Sequence, residues 1–244
     1  MSPPASRTVP SAGDAIGIMA GLTIKRVFRG KLVWFVILTA GLPSLVALAM
    51  RSSSAHDPVK VATSTLSIVQ LLFAILAPML TGSAVGDELG SKTTSYLWSR
   101  PIPRWTILVG KLVVLAPLTG LILVVAWIVS LAVGGGLMSG QAIAAVGFGA
   151  MIISVVVAAI ATIGPKHGIA FSLLYVLVID LGLALMPGSL SQLSLVHQTT
   201  VLAGLPQGSG EPPLGSALGA ALWLVGLAAI WLVVALRQLR TREA

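Results

Sequence analysis

Apolar residues in this chain run in long blocks separated by short polar stretches. A helix needs about 20 apolar residues to cross roughly 30 Å of hydrocarbon. On that criterion six spans are predicted, over residues 32–50, 65–86, 112–133, 142–163, 169–186 and 215–236, with the fifth the shortest. Ahead of them the pattern changes to an amphipathic one. From Ala15 to Lys31, the residues Ile16, Ala20, Ile24, Val27 and Phe28 share one broad face, while Lys25, Arg26 and Arg29 gather opposite. Ser11, with Asp14 three residues later, marks the start of that helix. It suits the headgroup layer of a membrane; the plainer reading makes it an extension of the first span. Residues 1–14 read as a flexible tail without the apolar core of a cleaved signal peptide.

Composition fixes the class. Hydrophobic residues make up 56% of the 244 positions and charged residues 9%, with a mean hydropathy of +1.00; a soluble domain carries about 25% charged residues. The expected fold is an all-α integral membrane protein, with residues 15–244 forming one transmembrane domain. The chain has no cysteine, which excludes disulfides, thiol nucleophiles and thiolate metal sites. A net charge of +8 raises nucleic acid as a partner. In so apolar a chain the bases belong on loops facing anionic lipid, and no nucleic acid is expected.

The bases also orient the spans. Arg7, Lys25, Arg26, Arg29 and Lys31 precede the first span, Lys92, Arg100, Arg104 and Lys111 separate the second from the third, Lys166 follows the fourth, and Arg237, Arg240 and Arg242 follow the sixth. In an alternating topology all of these share one side, leaving Arg51 and Lys60 for the other. The positive-inside rule then places both termini in the cytoplasm.

That puts "ELGSKTTSYLWSRPIPR", residues 88–104, on the cytoplasmic side, within a loop spanning 87–111. Asp87 and Glu88 suit the start of a short helix, whose N–H groups favour acids. Pro101 and Pro103 would end it. A short proline-ended helix beneath two spans makes a rigid prong; a solvated connector explains the same residues as well. Here a resemblance enters. Glu88, Thr93, Tyr96, Leu97, Ser99, Arg100, Pro101, Arg104, Gly110 and Lys111 resemble the cytosolic-loop signature of ABC type-2 transporter permeases. The chain departs from it at Lys92, Trp98 and Pro103. The resemblance implies that the loop is a coupling helix docking on a separate ATP-binding subunit, with Glu88, Thr93, Tyr96, Leu97, Arg100, Pro101 and Arg104 at the contact. It further implies a second permease chain, identical or related, and an extracytoplasmic segment, residues 187–214, that dips into the outer leaflet.

Other chemistry is sparse. "WTILVGKL" has Trp105 and Leu112 where a phosphate-binding loop needs glycine and Ser/Thr. The chain is therefore expected to be no enzyme and to bind no cofactor, with ATP and magnesium held by the partner subunit. His56, His167 and His197 fall in separate loops, too scattered for a metal site. Asp180 is the one acid inside a predicted span. Such a residue usually faces the protein interior or water, so it either lines a translocation path or dimer contact, or sits hydrated at the outer end of a short span. Pro43, Pro78 and Pro117 interrupt the first three spans. Ala145 with Gly149 in the fourth span, and the "GSALG" stretch in the sixth span, have the small-residue spacing of close helix contacts. Trp34, Trp105 and Trp231 are candidate headgroup anchors.

The expectation is a multi-pass permease of the plasma membrane, driven by a partner ATPase and exporting an apolar or amphipathic cargo. The alternatives are an ATP-independent carrier, which would want internal repeats and polar sites at mid-membrane, and a non-transporting assembly subunit.

Overall fold

The computed structural model describes residues 12–29, 32–52, 57–90, 104–186, 188–206 and 215–241, and all regular structure among them is helical. Helix α1 (Ala12–Arg29) is followed by α2 (Leu32–Arg51). Helix α3 (Pro58–Ala77), a π-helical turn (Pro78–Gly82) and α4 (Ser83–Gly90) form one rod. Helix α5 (Arg104–Gly134) and α6 (Gly140–Ile163) come next. A 3-10 turn (Pro165–His167), α7 (Gly168–Leu174), a π-helical stretch (Tyr175–Asp180) and α8 (Leu181–Ala184) then make a second composite rod. A 3-10 segment (Gly188–Leu193) leads to the short α9 (Leu195–Ala203), and α10 (Ala217–Thr241) closes the order.

Five helical rods are long and apolar enough to cross a membrane: Pro58–Gly86, Trp105–Gly134, Gly140–Ile163, Pro165–Ala184 and Ala217–Thr241. They correspond to the second to sixth predicted spans. Helix α2 covers the first predicted span but contributes only a shorter apolar helix, Gly41–Arg51, among the described residues. The second span begins seven residues earlier than predicted because Asp57 caps it. The Asp57 carboxylate accepts the N–H groups of Val59 at 2.9 Å and Lys60 at 3.5 Å, and Pro58 occupies the first helical position, where its missing N–H costs nothing.

Helix α6 is the centre of the packing, in contact with α5, α9 and α10. Glycines let the backbones close in. A Cβ on Gly120 of α5 would stand 3.0 Å from the Gly147 carbonyl of α6, and one on Gly149 would stand 2.6 Å from Thr199 Oγ1 of α9. The main core gathers around Phe73 and Trp127, both fully buried. The Trp127 indole cannot be buried without a partner; its N–H donates to Thr65 Oγ1 at 3.2 Å. A second apolar cluster, with Val85, Leu108, Leu112, Ala235 and Leu239, sits at the end from which the polar loop departs. The π turn Pro78–Gly82 carries Leu80 of the first cluster and precedes Val85 of the second.

Two details add to the sequence reading. The half-buried Trp231, a candidate headgroup anchor, meets Tyr175 edge-on at 5.6 Å beside the main core. The "GSALG" stretch makes a cap, with Ser216 Oγ accepting the Gly219 N–H at 3.0 Å.

Candidate functional site

The stalk of the polar loop is where the described residues carry the signature. Asp87 and Glu88 lie in the last turn of α4, which runs on from the second span and ends at Gly90. They therefore close one helix and do not open another, which corrects the sequence expectation. Thr93, Tyr96, Leu97, Arg100 and Pro101, with the rest of residues 91–103, lie outside the described residues. Arg104 is the first residue of α5. The structure thus shows the two helices from which the loop hangs.

Those helices are clasped together by Lys111, the last residue of the signature. Lys111, buried on α5, donates its ammonium to the carbonyl of Ala84 on α4. A buried lysine survives only with such partners. The adjacent Gly110 faces α1. A Cβ there would stand 3.1 Å from Met19 Cβ and 3.2 Å from the Ile16 carbonyl, so only a glycine lets α1 approach this closely. Thr23 of α1, also buried, returns its hydroxyl to the Met19 carbonyl at 2.8 Å. On another side of α4, a Cβ on Gly86 would stand 3.1 Å from the Pro165 carbonyl. A cavity of about 300 Å³ remains between this turn and the stalk, lined in part by Ser83, Lys166 and His167. The stalk is braced by α5 through a hydrogen bond and by the 165–167 turn through close contact.

Asp180, the other candidate, is buried at the opposite end of the composite fifth span. Gly168, Ser172, Val176 and Asp180 recur every fourth residue and are all buried. Four residues of α-helix overshoot a full turn by about 40°. The wider π-helical stretch Tyr175–Asp180 offsets that drift and keeps Asp180 on the inner face. Its carboxylate accepts the N–H of Leu195 at 2.7 Å through Oδ1 and of Val196 at 3.1 Å through Oδ2. Ser194 Oγ accepts the His197 N–H at 3.2 Å, and the Ser191 carbonyl accepts the Ser194 N–H at 3.0 Å. The four N–H groups that an α-helix leaves unpaired at its start are all satisfied in α9.

Sequence reasoning missed the residue on the other side of α9. Gln70 of α3 donates through Nε2 to the Val196 carbonyl at 3.2 Å and to Thr200 Oγ1 at 2.7 Å. An amide inside an apolar span was the available signal. At the far end of α9, Gln141 Nε2 donates to the Leu202 carbonyl at 2.9 Å, and Gly204 ends the helix in the left-handed region, with φ of 66°. His197 lies buried in this helix, and desolvation pushes its imidazole below the usual histidine range. Among the described residues no three His, Asp or Glu side chains come together as a metal site would require.

Residues 34–180 match the family model described as ABC-2 family transporter protein, and no curated protein matches the chain. The match covers more than half of the chain, from α2 to Asp180, and includes the polar loop with both of its stalks. The chain belongs to the ABC-2 transporter family and is a multi-pass membrane permease. Membrane components of this family generally pair with an ATP-binding subunit.

Proposed function

We propose that the chain is the membrane-spanning subunit of an ATP-driven exporter in the plasma membrane. It pairs with a second permease chain and with ATP-binding subunits that hold ATP and magnesium. The ATPase docks on residues 88–104, with Tyr96, Leu97, Arg100 and Pro101 at the contact. Helix α2 is the first of six spans, α1 lies along the cytoplasmic headgroups, and both termini face the cytoplasm. The cargo is apolar or amphipathic, in keeping with the scarcity of charge in the spans.

One observation supports this reading above the others. The Gly110–Lys111 pair braces α1, α4 and α5 at the root of the polar loop. A solvated connector needs no buried lysine at its base. A loop that must pass on a push needs stiff roots, because displacement is lost wherever the backbone yields.

The test is co-reconstitution with a candidate ABC ATP-binding subunit, followed by efflux of an amphipathic fluorescent dye from vesicles. Efflux that requires both nucleotide and the second protein supports the proposal. Efflux that follows an ion gradient and ignores nucleotide favours a carrier.

A further inference from the structure

Spans two and five pack against each other from the stalk onwards and are also tied at the far end through a single residue of α9. At the stalk, Gly86 on the second span abuts the Pro165 carbonyl that opens the fifth. Far along the same two rods, Gln70 of the second span holds the Val196 carbonyl and Asp180 of the fifth holds the Val196 N–H. Both rods carry a π-helical stretch between these two contacts, at Pro78–Gly82 and Tyr175–Asp180. Such stretches are rare and often sit at functional sites.

We propose that α9 is a latch across spans two and five and that Asp180 is its positioning residue, so that displacement at the stalk is delivered to α9. Val196 is well suited to this. Its backbone donor and acceptor are bonded to different spans, so neither span shifts along its axis without stretching one bond or carrying α9 with it. The helix is held to the bundle elsewhere by Thr199 seated on Gly149 and by the Gln141–Leu202 contact. These fix its position against α6, while its first turn is held to the two spans by Asp180 and Gln70. The function of the intramembrane acid is then mechanical: it touches no cargo and no nucleotide. The proposal rests on the permease reading for its purpose, but its physical content does not depend on any partner.

The test is a double-mutant cycle on the purified full-length chain without an ATPase. A reporter cysteine replaces Leu202 on α9, which is partly buried, in a chain with no native cysteine. Its reaction rate with a soluble maleimide is measured in detergent. Gly86→Val drives a side chain towards the Pro165 carbonyl at the stalk, and Gly86→Ala is the gentler wedge. With Asp180 intact, the valine wedge should change the rate at position 202 by about threefold or more, within the range found for coupled sites. In the Asp180→Leu background the same wedge should have no effect, and Asp180→Asn, which keeps one acceptor oxygen, should give an intermediate response. A wedge effect of equal size in all three backgrounds, or in none, overturns the latch. Should Asp180→Leu fail to yield folded protein, the Asp180→Asn comparison with either wedge decides by the same criterion. A failure of ATPase capture would count against the permease reading alone, since none is present in this cycle.

Discussion

Asp180 and Gln70 hold Val196 from opposite sides, the carboxylate accepting its N–H at 3.1 Å and the amide donating to its carbonyl at 3.2 Å. Removing the Asp180 side chain leaves two N–H groups of α9 buried and unpaired, at about 1–3 kcal/mol each. Asp180→Leu orphans two donors and should cost about 2–6 kcal/mol; Gln70→Leu should cost less, because the Val196 carbonyl still accepts from Thr200 Oγ1 at 3.1 Å. Thermal unfolding in detergent should rank the variants in that order. An Asp180→Leu chain as stable as wild type would mean that water replaces the cap.

Gly149 carries a separate prediction. Its missing Cβ is the space that Thr199 fills, with Oγ1 at 2.6 Å and Cγ2 at 2.7 Å from where that carbon would stand. Gly149→Val should force α6 and α9 apart and destabilise the chain by about 1–3 kcal/mol, the usual cost of overpacking. Pairing it with Thr199→Ala should recover part of the loss. No recovery in the double variant would place the strain elsewhere.

Lys111→Met keeps the apolar stem and removes the bond to the Ala84 carbonyl. On the proposed mechanism this variant should still insert and still bind its ATPase, because residues 88–104 are unchanged. Cargo efflux per ATP hydrolysed should fall several-fold. Full coupling in Lys111→Met would reduce the clasp to packing.

Topology is open to chemical labelling. Single cysteines at Ser54, Ser139 and Gly208 should react with an impermeant reagent applied to intact cells, and cysteines at Ser91 and Lys166 should not. Reaction at position 91 from outside would reverse the orientation and remove the loop from any cytoplasmic partner.

The sequence made the rods legible because apolar length is a one-dimensional property, and the small-residue spacing of Ala145 and Gly149 marked a real helix contact. Other features were legible but passed over: Asp57 before Pro58 is a capping signal, and Gln70 is an amide in an apolar run. What no local pattern discloses is the partner. Asp180 bonds to backbone N–H groups fifteen and sixteen residues away, which carry no side-chain signature. The π-helical stretches are equally silent, since they arise from how a rod must turn its faces against neighbours. Lys111 looked like one more loop base, and only the fold shows it turned inward onto Ala84.

The central claim is that the polar loop captures an ATP-binding subunit and that transport depends on the capture. Interfaces of this kind concentrate their energy in a few aromatic and arginine anchors, each contributing about 2 kcal/mol or more. The decisive measurement is co-purification of the ATPase with the wild-type chain, with the Tyr96→Ala/Arg100→Glu double variant and with an Arg7→Glu control, alongside efflux from the same preparations. The account predicts that the double variant inserts normally, loses the ATPase and loses efflux, while the control keeps both. A double variant that retains its ATPase and its transport would contradict it.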